Sequence, residues 1–331
     1  MLLSLAFLLF ATPTALGKKL TDEENENREK FCGRYVPGYQ SAAGEEDQFK
    51  SLYGRPVEEV VPWAVAIHLL DDQGRSSFRG TGTLISPRHV LTATHLLEPE
   101  PDCKRGKIVG VKFSAKDFAV VMNVTCAVRA ACEKLGRQDQ FVIHTVANIY
   151  SFPGFLGAKC PSMIAYGDIS IFELENDIPF GPTVYPACVP RTSDPVGLED
   201  KLNIFGFGSD PADKEWQRSG IMKTFPSMKK ECTSGDLNTT GVFCSESAKK
   251  ELACSGDSGS GIVRKRPGKP TVEVVGILSG GRNCIDLLKE HEIQQRYGRL
   301  MTTAQDYLVE VSYFLTFICN ASGVCPVENE A

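Results

Sequence analysis

The sequence predicts an all-β protein built from two lobes. Short runs rich in β-branched and aromatic residues begin near Val61 and recur at regular spacing, each bounded by turn residues. One set extends to about residue 190 and a second set follows it, which favours two lobes, each a sandwich or a barrel. The chain of 331 residues also contains 12 cysteines, an even number that suits a disulfide-bonded protein of an oxidising compartment.

The N-terminus has the pattern of a secretory signal peptide. Residues 1–17, MLLSLAFLLFATPTALG, are apolar and end in small residues, with Ala15 and Gly17 where a signal peptidase needs them. This run is short for a membrane span, and no later segment is long enough either. We therefore expect cleavage after Gly17 and a secreted, extracellular protein without a membrane partner.

The segment that follows, residues 18–50, is polar and acidic, with the runs TDEENENREK and GEEDQFK. This composition contributes little to a core, so we expect an exposed propeptide. Further along the chain, three Asn-x-Ser/Thr sequons are candidate glycosylation sites that suit the same secretory route: Asn123, Asn238 and Asn320.

The charge balance argues against a polyanionic partner. The formal net charge is −5 at pH 7, and the one basic run, RKRPGKP from Arg264, contains the Pro and Gly that are typical of a hairpin tip. No nucleic-acid partner is expected. The sequence contains no metal-ligand cluster and no phosphate-binding loop, so neither a metal nor another cofactor is expected. Near the C-terminus, apolar residues at helical steps predict a helix over about residues 306–319.

The stretch ELACSGDSGSGIV, residues 251–263, places glycines and serines around one Asp. Such residues form flexible loops, but they also form tight turns that can present a nucleophile. A serine hydroxyl is a poor nucleophile unless a base takes its proton and a third group fixes that base. His95 is a candidate base, because it ends the run HVLTATH, where an apolar strand gives way to a loop. Neither motif decides the question alone.

The two motifs together resemble those of the chymotrypsin-like serine proteases. TGTLISPRHVLTATH is similar to the family's T-A-A-H segment, and GDSGSG downstream is similar to its G-D-S-G-G segment. The resemblance runs from about Ser51 to the C-terminal helix and implies a peptidase domain over residues 51–331. That domain would consist of two packed six-stranded antiparallel Greek-key barrels, over about residues 51–190 and 191–331. A weaker similarity, to a divergent nematode group, rests on GTGTLISPRHVLT and a cysteine-rich insertion between His95 and Asp168.

The resemblance implies a catalytic triad of His95, Asp168 and Ser258. Asp168 in YGDISIFEL begins an alternating strand and matches the family's D-I-x-L pattern. Asp177 is the competing acid, but Pro179 and Gly181 follow it, which suits a turn better. The backbone N–H groups of Gly256 and Ser258 would form the oxyanion hole. Ser279 in GILSGG would hydrogen-bond the buried acid and line the substrate site.

The family also implies disulfide pairs for most of the cysteines. The implied pairs are Cys32–Cys188, which tethers the propeptide, together with Cys232–Cys244 and Cys254–Cys284; Cys319 and Cys325 are expected to pair locally. The remaining four allow three connectivities: Cys103, Cys126, Cys132 and Cys160. Two disulfide bonds of the family are absent, each with both of its cysteines. Gly80 and Leu96 occupy the two positions of the first bond, and Leu202 and Arg264 occupy those of the second. Loss in pairs is what a folded relative would show, since a single unpaired thiol would be a liability.

Activation and specificity follow from the same resemblance. Cleavage after Lys50 by an activating protease would expose Ser51, whose amine would pair with Asp257. The family's usual Ile or Val is absent at that terminus. The floor of the specificity pocket corresponds to Leu252 and its open wall to Gly281. A basic P1 side chain would find no acid at Leu252, so the sequence predicts an apolar P1 residue.

The sequence thus predicts a secreted serine endopeptidase made as a zymogen, with polypeptide substrates and protein protease inhibitors as further partners. The alternative is an inactive homologue that serves as a binding or regulatory module, because Ser51 and Gly280 depart from the family pattern and the bridge beside His95 is missing. A lipase-like hydrolase with a G-x-S-x-G elbow fits poorly. It would need α/β alternation and the chain order Ser, acid, His.

Overall fold

The structure is a computed structural model of the whole chain. It describes residues 17–34, 60–98, 113–134, 136, 141–155, 166–191, 195–198, 200–209, 220–233, 240–247, 252–266, 271–297 and 305–327. Within this part, all elements of the two lobes are β-strands apart from a few short helices.

The first lobe is a closed six-stranded antiparallel barrel with the strand order β1-β2-β3-β6-β5-β4. Its strands are Ala64–Leu70 (β1), Ser76–Leu84 (β2), His89–Thr92 (β3), Phe118–Met122 (β4), Ile143–Ser151 (β5) and Ser170–Leu174 (β6). β3, β4 and β6 are buried along their whole length, as their nearly continuous apolar runs predict.

The second lobe is a closed barrel of the same kind with the order β10-β11-β12-β9-β8-β7. Its strands are Lys201–Gly206 (β7), Lys223–Lys230 (β8), Val242–Glu246 (β9), Gly261–Lys265 (β10), Val272–Gly281 (β11) and Asp306–Glu310 (β12). The two barrels lie on either side of the boundary expected near residue 190. This is the predicted fold of two six-stranded antiparallel barrels.

In the described ranges, the remaining elements are four α-helices and three 3₁₀ helices. The α-helices are Asp22–Phe31 (α1), Arg129–Lys134 (α2), Cys284–Tyr297 (α3) and Leu315–Ser322 (α4), and the 3₁₀ helices are Thr94–Leu97, Ala115–Asp117 and Val311–Phe314. None of the helices in the described ranges is long and apolar enough to cross a membrane.

The C-terminal helix is shorter than predicted and begins later. Residues 306–310 form β12, which pairs with β9 and β11 and closes the second barrel. The apolar residues of DYLVE fit a strand as well as a helix, and the open edges of two neighbouring strands decide for the strand. The helix itself, α4, spans Leu315–Ser322 and ends at Gly323, whose φ of 74° is the left-handed conformation that favours glycine.

The prediction of an exposed leader is wrong for part of residues 18–34, because Leu20, Asn25, Arg28 and Cys32 are buried. α1 begins with a capping box between Thr21 and Glu24 and packs on the protein. Arg28 is 3% exposed, and its guanidinium pairs with Glu29, which in turn pairs with Arg266 over 2.6 Å. One side of this polar helix can pack on the protein because the buried charge of Arg28 is matched by Glu29, which also pairs with Arg266 next to the second barrel.

The described residues contain five disulfide bonds. Four of them are the pairs named above, Cys32–Cys188, Cys232–Cys244, Cys254–Cys284 and Cys319–Cys325, and the fifth joins Cys126 to Cys132. The fifth bond resolves part of the connectivity that the sequence left open. Cys103 and Cys160 lie outside the described residues.

Candidate active site

Strand pairing brings His95 and Asp168 to the same end of the first barrel. β3 and β6 are antiparallel neighbours, with Thr92 opposite Ser170. His95 follows β3 in the 3₁₀ helix Thr94–Leu97, and Asp168 directly precedes β6. The two residues therefore extend beyond paired strand ends and meet there.

The imidazole of His95 is held by the buried carboxylate of Asp168. Nδ1 of His95 lies 2.7 Å from Oδ2 of Asp168, and the His95 main-chain N–H donates to Oδ1 over 2.8 Å. Ser279 on β11 donates its hydroxyl to Oδ2 over 2.6 Å. These three contacts fix the carboxylate from both barrels and leave Nε2 of His95 facing away from the acid.

The same contacts determine the acid–base properties of the imidazole. Burial lowers the pKa of His95, but the charge of Asp168 and its hydrogen bond raise it, and the net pKa lies above the ordinary histidine value. The competing acid, Asp177, makes two 2.7 Å hydrogen bonds to the guanidinium of Arg88. It makes no described contact with His95.

Ser258 lies in a tight turn that precedes β10. Gly256 has a φ of 98°, and an added Cβ there would lie 2.7 Å from Cε1 of Phe78, so both backbone and space require glycine. β2 of the first barrel holds this turn. The N–H of Thr81 donates to the carbonyl of Ser258, and the Thr81 hydroxyl donates to the carbonyl of Gly256, both over 2.9 Å.

The groups at this turn are accessible for chemistry. Ser258 is partly exposed, and no hydrogen bond joins its hydroxyl to His95 in the described part of the chain. Such bonds are often long without substrate. The amides of Gly256 and Ser258 likewise have no acceptor among the described residues, whereas Asp257 N–H donates to the Cys254 carbonyl over 2.9 Å.

The side chain of Asp257 points away from Ser258 into the second barrel. Its Oδ1 accepts the N–H of Gly208 over 2.7 Å and its Oδ2 accepts the N–H of Cys254 over 2.9 Å. Burial raises the pKa of Asp257, while these two N–H groups and the charge of Lys223 act in the opposite direction.

The candidate specificity pocket contains a second buried acid that sequence reasoning missed. Leu252 is buried, and Gly281 pairs with Asp306 across β11 and β12. Oδ1 of Asp306 accepts the N–H of Ala253 over 3.2 Å and lies 3.2 Å from the position of a Cβ at Gly281. Burial raises the pKa of Asp306 to about 8. Since residues 306–319 were predicted to be helical, this pairing was not visible in the sequence.

The far wall of the pocket, which could not be interpreted from the sequence, begins with a helix. α3 starts at Cys284, directly after the pocket strand β11, and Cys284 is bonded to Cys254 just before the serine turn. The bond therefore connects the start of α3 to the irregular segment that carries Leu252.

The positions of the two absent family bridges are neighbours in the structure. An added Cβ at Gly80 would lie 2.8 Å from both methyl carbons of Leu96, and Leu202 faces Arg264 across β7 and β10. Packing has thus replaced the first bridge. Three of the predicted site residues, Lys50, Ser51 and Asn238, lie outside the described residues, whereas the candidate glycosylation sites Asn123 and Asn320 are exposed.

Comparisons with known proteins agree with this architecture. The Trypsin family model matches residues 54–289. The trypsin-like protease try-5 of Caenorhabditis elegans is 24% identical over 280 residues, which are 77% of this chain and 84% of the relative. The CLIP domain-containing serine protease B9 of Anopheles gambiae is 24% identical over 229 residues, 67% of this chain and 54% of that protein. The complement C1r-A subcomponent of Mus musculus is 28% identical over 213 residues, 62% of this chain and 28% of that protein. Since the family model covers most of the chain, this protein belongs to the trypsin family and is a serine endopeptidase.

Proposed function

We propose that the protein hydrolyses peptide bonds through a triad of Ser258, His95 and Asp168. The observation that carries the proposal is the 2.7 Å contact between His95 Nδ1 and a buried Asp168 carboxylate that Ser279 also holds. A carboxylate in this position fixes the tautomer that leaves Nε2 free to accept a proton. The raised pKa of His95 makes it a stronger base.

The chemistry then follows in two steps. The Ser258 oxygen attacks the scissile carbonyl while His95 Nε2 takes the hydroxyl proton, which it returns to the leaving amine. A water molecule then gives a proton to His95 as its oxygen attacks the acyl carbonyl; the bond to Ser258 breaks, His95 returns the proton to the Ser258 oxygen, and the carboxylic acid product leaves. The amides of Gly256 and Ser258 hold the oxyanion, and loss of one such donor costs about 3 kcal/mol of transition-state stabilisation.

The proposal is tested with a fluorophosphonate probe, which reacts with an activated serine. We expect covalent capture at Ser258, identified by peptide mass spectrometry, and loss of capture in His95→Ala. Ser255→Ala and His144→Ala are matched controls, because Ser255 is exposed in the same turn and His144 lies on β5 of the first barrel. Absence of capture in a folded, Lys50-cleaved protein would support a non-catalytic binding module instead.

The precursor is proposed to be secreted and processed. Signal-peptide removal after Gly17 and cleavage after Lys50 by an activating protease would produce a two-chain enzyme with Ser51 at the new terminus. The Cys32–Cys188 bond supports retention of the leader after that cleavage. Carbohydrate would be attached at the sequons; Asn123 and Asn320 are exposed, as attachment requires.

The proposed substrates are polypeptides with an apolar P1 residue, and protein protease inhibitors are proposed to bind the same cleft. Leu252, the proposed pocket floor, is buried, and Asp306 is protonated at neutral pH because its pKa is about 8. Of these two residues, neither would offer a cationic side chain a formed countercharge. Hydrolysis of a peptide library that varies only in P1 tests this specificity at pH 7, and strong preference for Arg or Lys would reject it.

A further inference from the structure

All four carbonyl oxygens of the serine turn, residues 255–258, are hydrogen-bonded in the described part of the chain. The carbonyl of Gly256 accepts the hydroxyl of Thr81 over 2.9 Å. It is therefore the one carbonyl of this turn that a side chain holds, and its hydrogen bond is the one that a substitution can remove. The other three accept main-chain N–H groups over 2.8 to 2.9 Å: Ser255 from Ser209, Asp257 from Ser260 and Ser258 from Thr81.

The hydroxyl of Thr81 is itself fixed between the two barrels. Thr81 lies on β2 of the first barrel and is completely buried. Its hydroxyl oxygen accepts the main-chain N–H of Phe207, directly after β7 of the second barrel, over 3.3 Å. A hydroxyl has a single proton to donate. With Phe207 as its donor partner and Gly256 as its acceptor partner, this hydroxyl has one defined orientation and holds the Gly256 carbonyl in one place.

Gly256 depends on this contact because a glycine restricts its own backbone least. Its φ of 98° is one of many conformations that a residue without a Cβ can adopt. Without the Thr81 hydroxyl, the Gly256 carbonyl would face the buried side of β2 with no donor, which is unfavourable. Rotation about the Gly256 torsions would relieve that loss, but it would also turn the N–H group of the same residue.

We propose that Thr81 is a positioning residue of the oxyanion hole, because its hydroxyl keeps the Gly256 amide directed at the oxyanion that forms on the scissile carbonyl. Thr81 reaches both residues whose amides bind that oxygen: its hydroxyl holds the Gly256 carbonyl and its N–H holds the Ser258 carbonyl. It acts through the backbone of the turn and has no contact with substrate. This inference rests on the proposed function of Ser258.

The test uses Thr81→Val, which removes the hydroxyl and keeps a branched side chain, in the Lys50-cleaved protein. We expect kcat for a peptide substrate to fall by about tenfold to 100-fold with KM nearly unchanged, since loss of a whole oxyanion donor costs about 10²–10³-fold. Thr81→Ser keeps a hydroxyl and should retain most of the activity. Thr83→Val is the matched control and should leave kcat unchanged, because Thr83 is a buried threonine of the same strand whose hydroxyl has no partner among the described residues.

A peptidyl trifluoromethyl ketone separates positioning from folding, because its adduct with Ser258 places a negative oxygen in the oxyanion hole. Thr81→Val should weaken its inhibition constant by the same factor as kcat/KM, whereas loss of folded protein would lower the number of active sites and not their affinity. Thr81→Ala provides the same test should the valine variant not fold.

The outcomes distinguish this inference from the proposed function. Unchanged kcat and inhibition in Thr81→Val would overturn the inference and leave the proposed function intact. Equal losses in Thr81→Val and Thr83→Val would overturn it as well, since they would indicate a general packing effect of β2. If the wild-type protein neither hydrolyses peptides nor reacts with the fluorophosphonate probe, the proposed function and the inference fail together.

Discussion

The main-chain nitrogen of Lys18 lies 2.9 Å from Oε2 of Glu173, a carboxylate buried in the first barrel. The same oxygen accepts the hydroxyl of Tyr150 over 3.0 Å. His89 is the nearest imidazole, at 3.9 Å, but burial lowers its pKa to about 4 and keeps it neutral at pH 7. Cleavage after Gly17 would turn the Lys18 amide into an ammonium that pairs with Glu173.

We therefore expect the secreted protein to begin with KKLTDEEN, as determined by N-terminal sequencing. Glu173→Gln should lower the free energy of unfolding by about 2 kcal/mol, because it removes a charge-assisted hydrogen bond. Glu175→Gln is the control, since the Glu175 side chain is exposed on the same segment. An N-terminus beyond Lys18, or equal stability of the two variants, would contradict this prediction.

The contact between His95 and Asp168 predicts the pH dependence of catalysis. His95 must be neutral to act as a base, and its pKa is raised above the ordinary 6.5, so kcat/KM should increase with pH through a midpoint above that value. Asp168→Asn should reduce kcat/KM by about 10⁴-fold, because the asparagine favours the His95 tautomer whose Nε2 carries the proton and cannot accept one. Steady-state kinetics from pH 5 to 9, a range of about four units around the histidine pKa, measure both effects. Asp177→Asn should have little effect, and a midpoint below 6.5 would count against the assignment.

Asp306 predicts a pH-dependent stability. Its pKa is raised to about 8 in the fold, from 3.8 for an ordinary aspartate, so the folded state retains a proton that the unfolded state releases. The stabilising effect of that proton is complete below about pH 4 and is lost as the pH rises through 8, by up to about 1.4 kcal/mol per pH unit. Chemical denaturation across this range should show the loss, and Asp306→Asn should remove it. Asp286→Asn, at an exposed position, should not.

The same ionisation should change specificity. As Asp306 loses its proton above about pH 8, a countercharge forms beside Gly281, and kcat/KM for Arg at P1 should increase relative to Phe. The ratio measured at pH 7 and pH 9 with paired substrates checks this, and Asp306→Asn should hold it constant. A constant ratio in the wild type would show that the acid does not face the substrate.

The bond between Cys32 and Cys188 predicts that the leader remains attached after activation. It spans 156 residues of sequence, and loss of such a bond costs about 2–4 kcal/mol of stability. On electrophoresis under denaturing conditions, Lys50-cleaved protein should run as one species without reductant and as two with it. Cys32→Ser together with Cys188→Ser should give two species in both cases. Release from the wild type without reductant would exclude the tether.

The fold and the centre of the site were predictable because motifs mark them. His95 and Ser258 stand in segments whose spacing and neighbours are distinctive, and β3 and β6 then bring Asp168 to His95. The alternating apolar runs likewise predict strands wherever they are long enough.

The packing of the leader and the burial of charged residues were not predictable, because both depend on contacts with residues that are distant in the sequence. α1 has the sequence DEENENREKF, with no apolar stripe, and is held through Arg28, Glu29 and Arg266. Lys223 and Asp306 are likewise ordinary polar residues in the sequence. Only the closed second barrel brings them to Asp257.

The methyl carbons of Leu96 fill the space next to Gly80. These are the two positions at which the family pattern has a disulfide bond beside His95. Reducing agents therefore have no disulfide bond to cleave between positions 80 and 96. The hold on His95 depends on apolar packing and on the hydrogen bonds of Asp168. Heat and denaturants, rather than reductants, are the agents that should loosen the base from its acid.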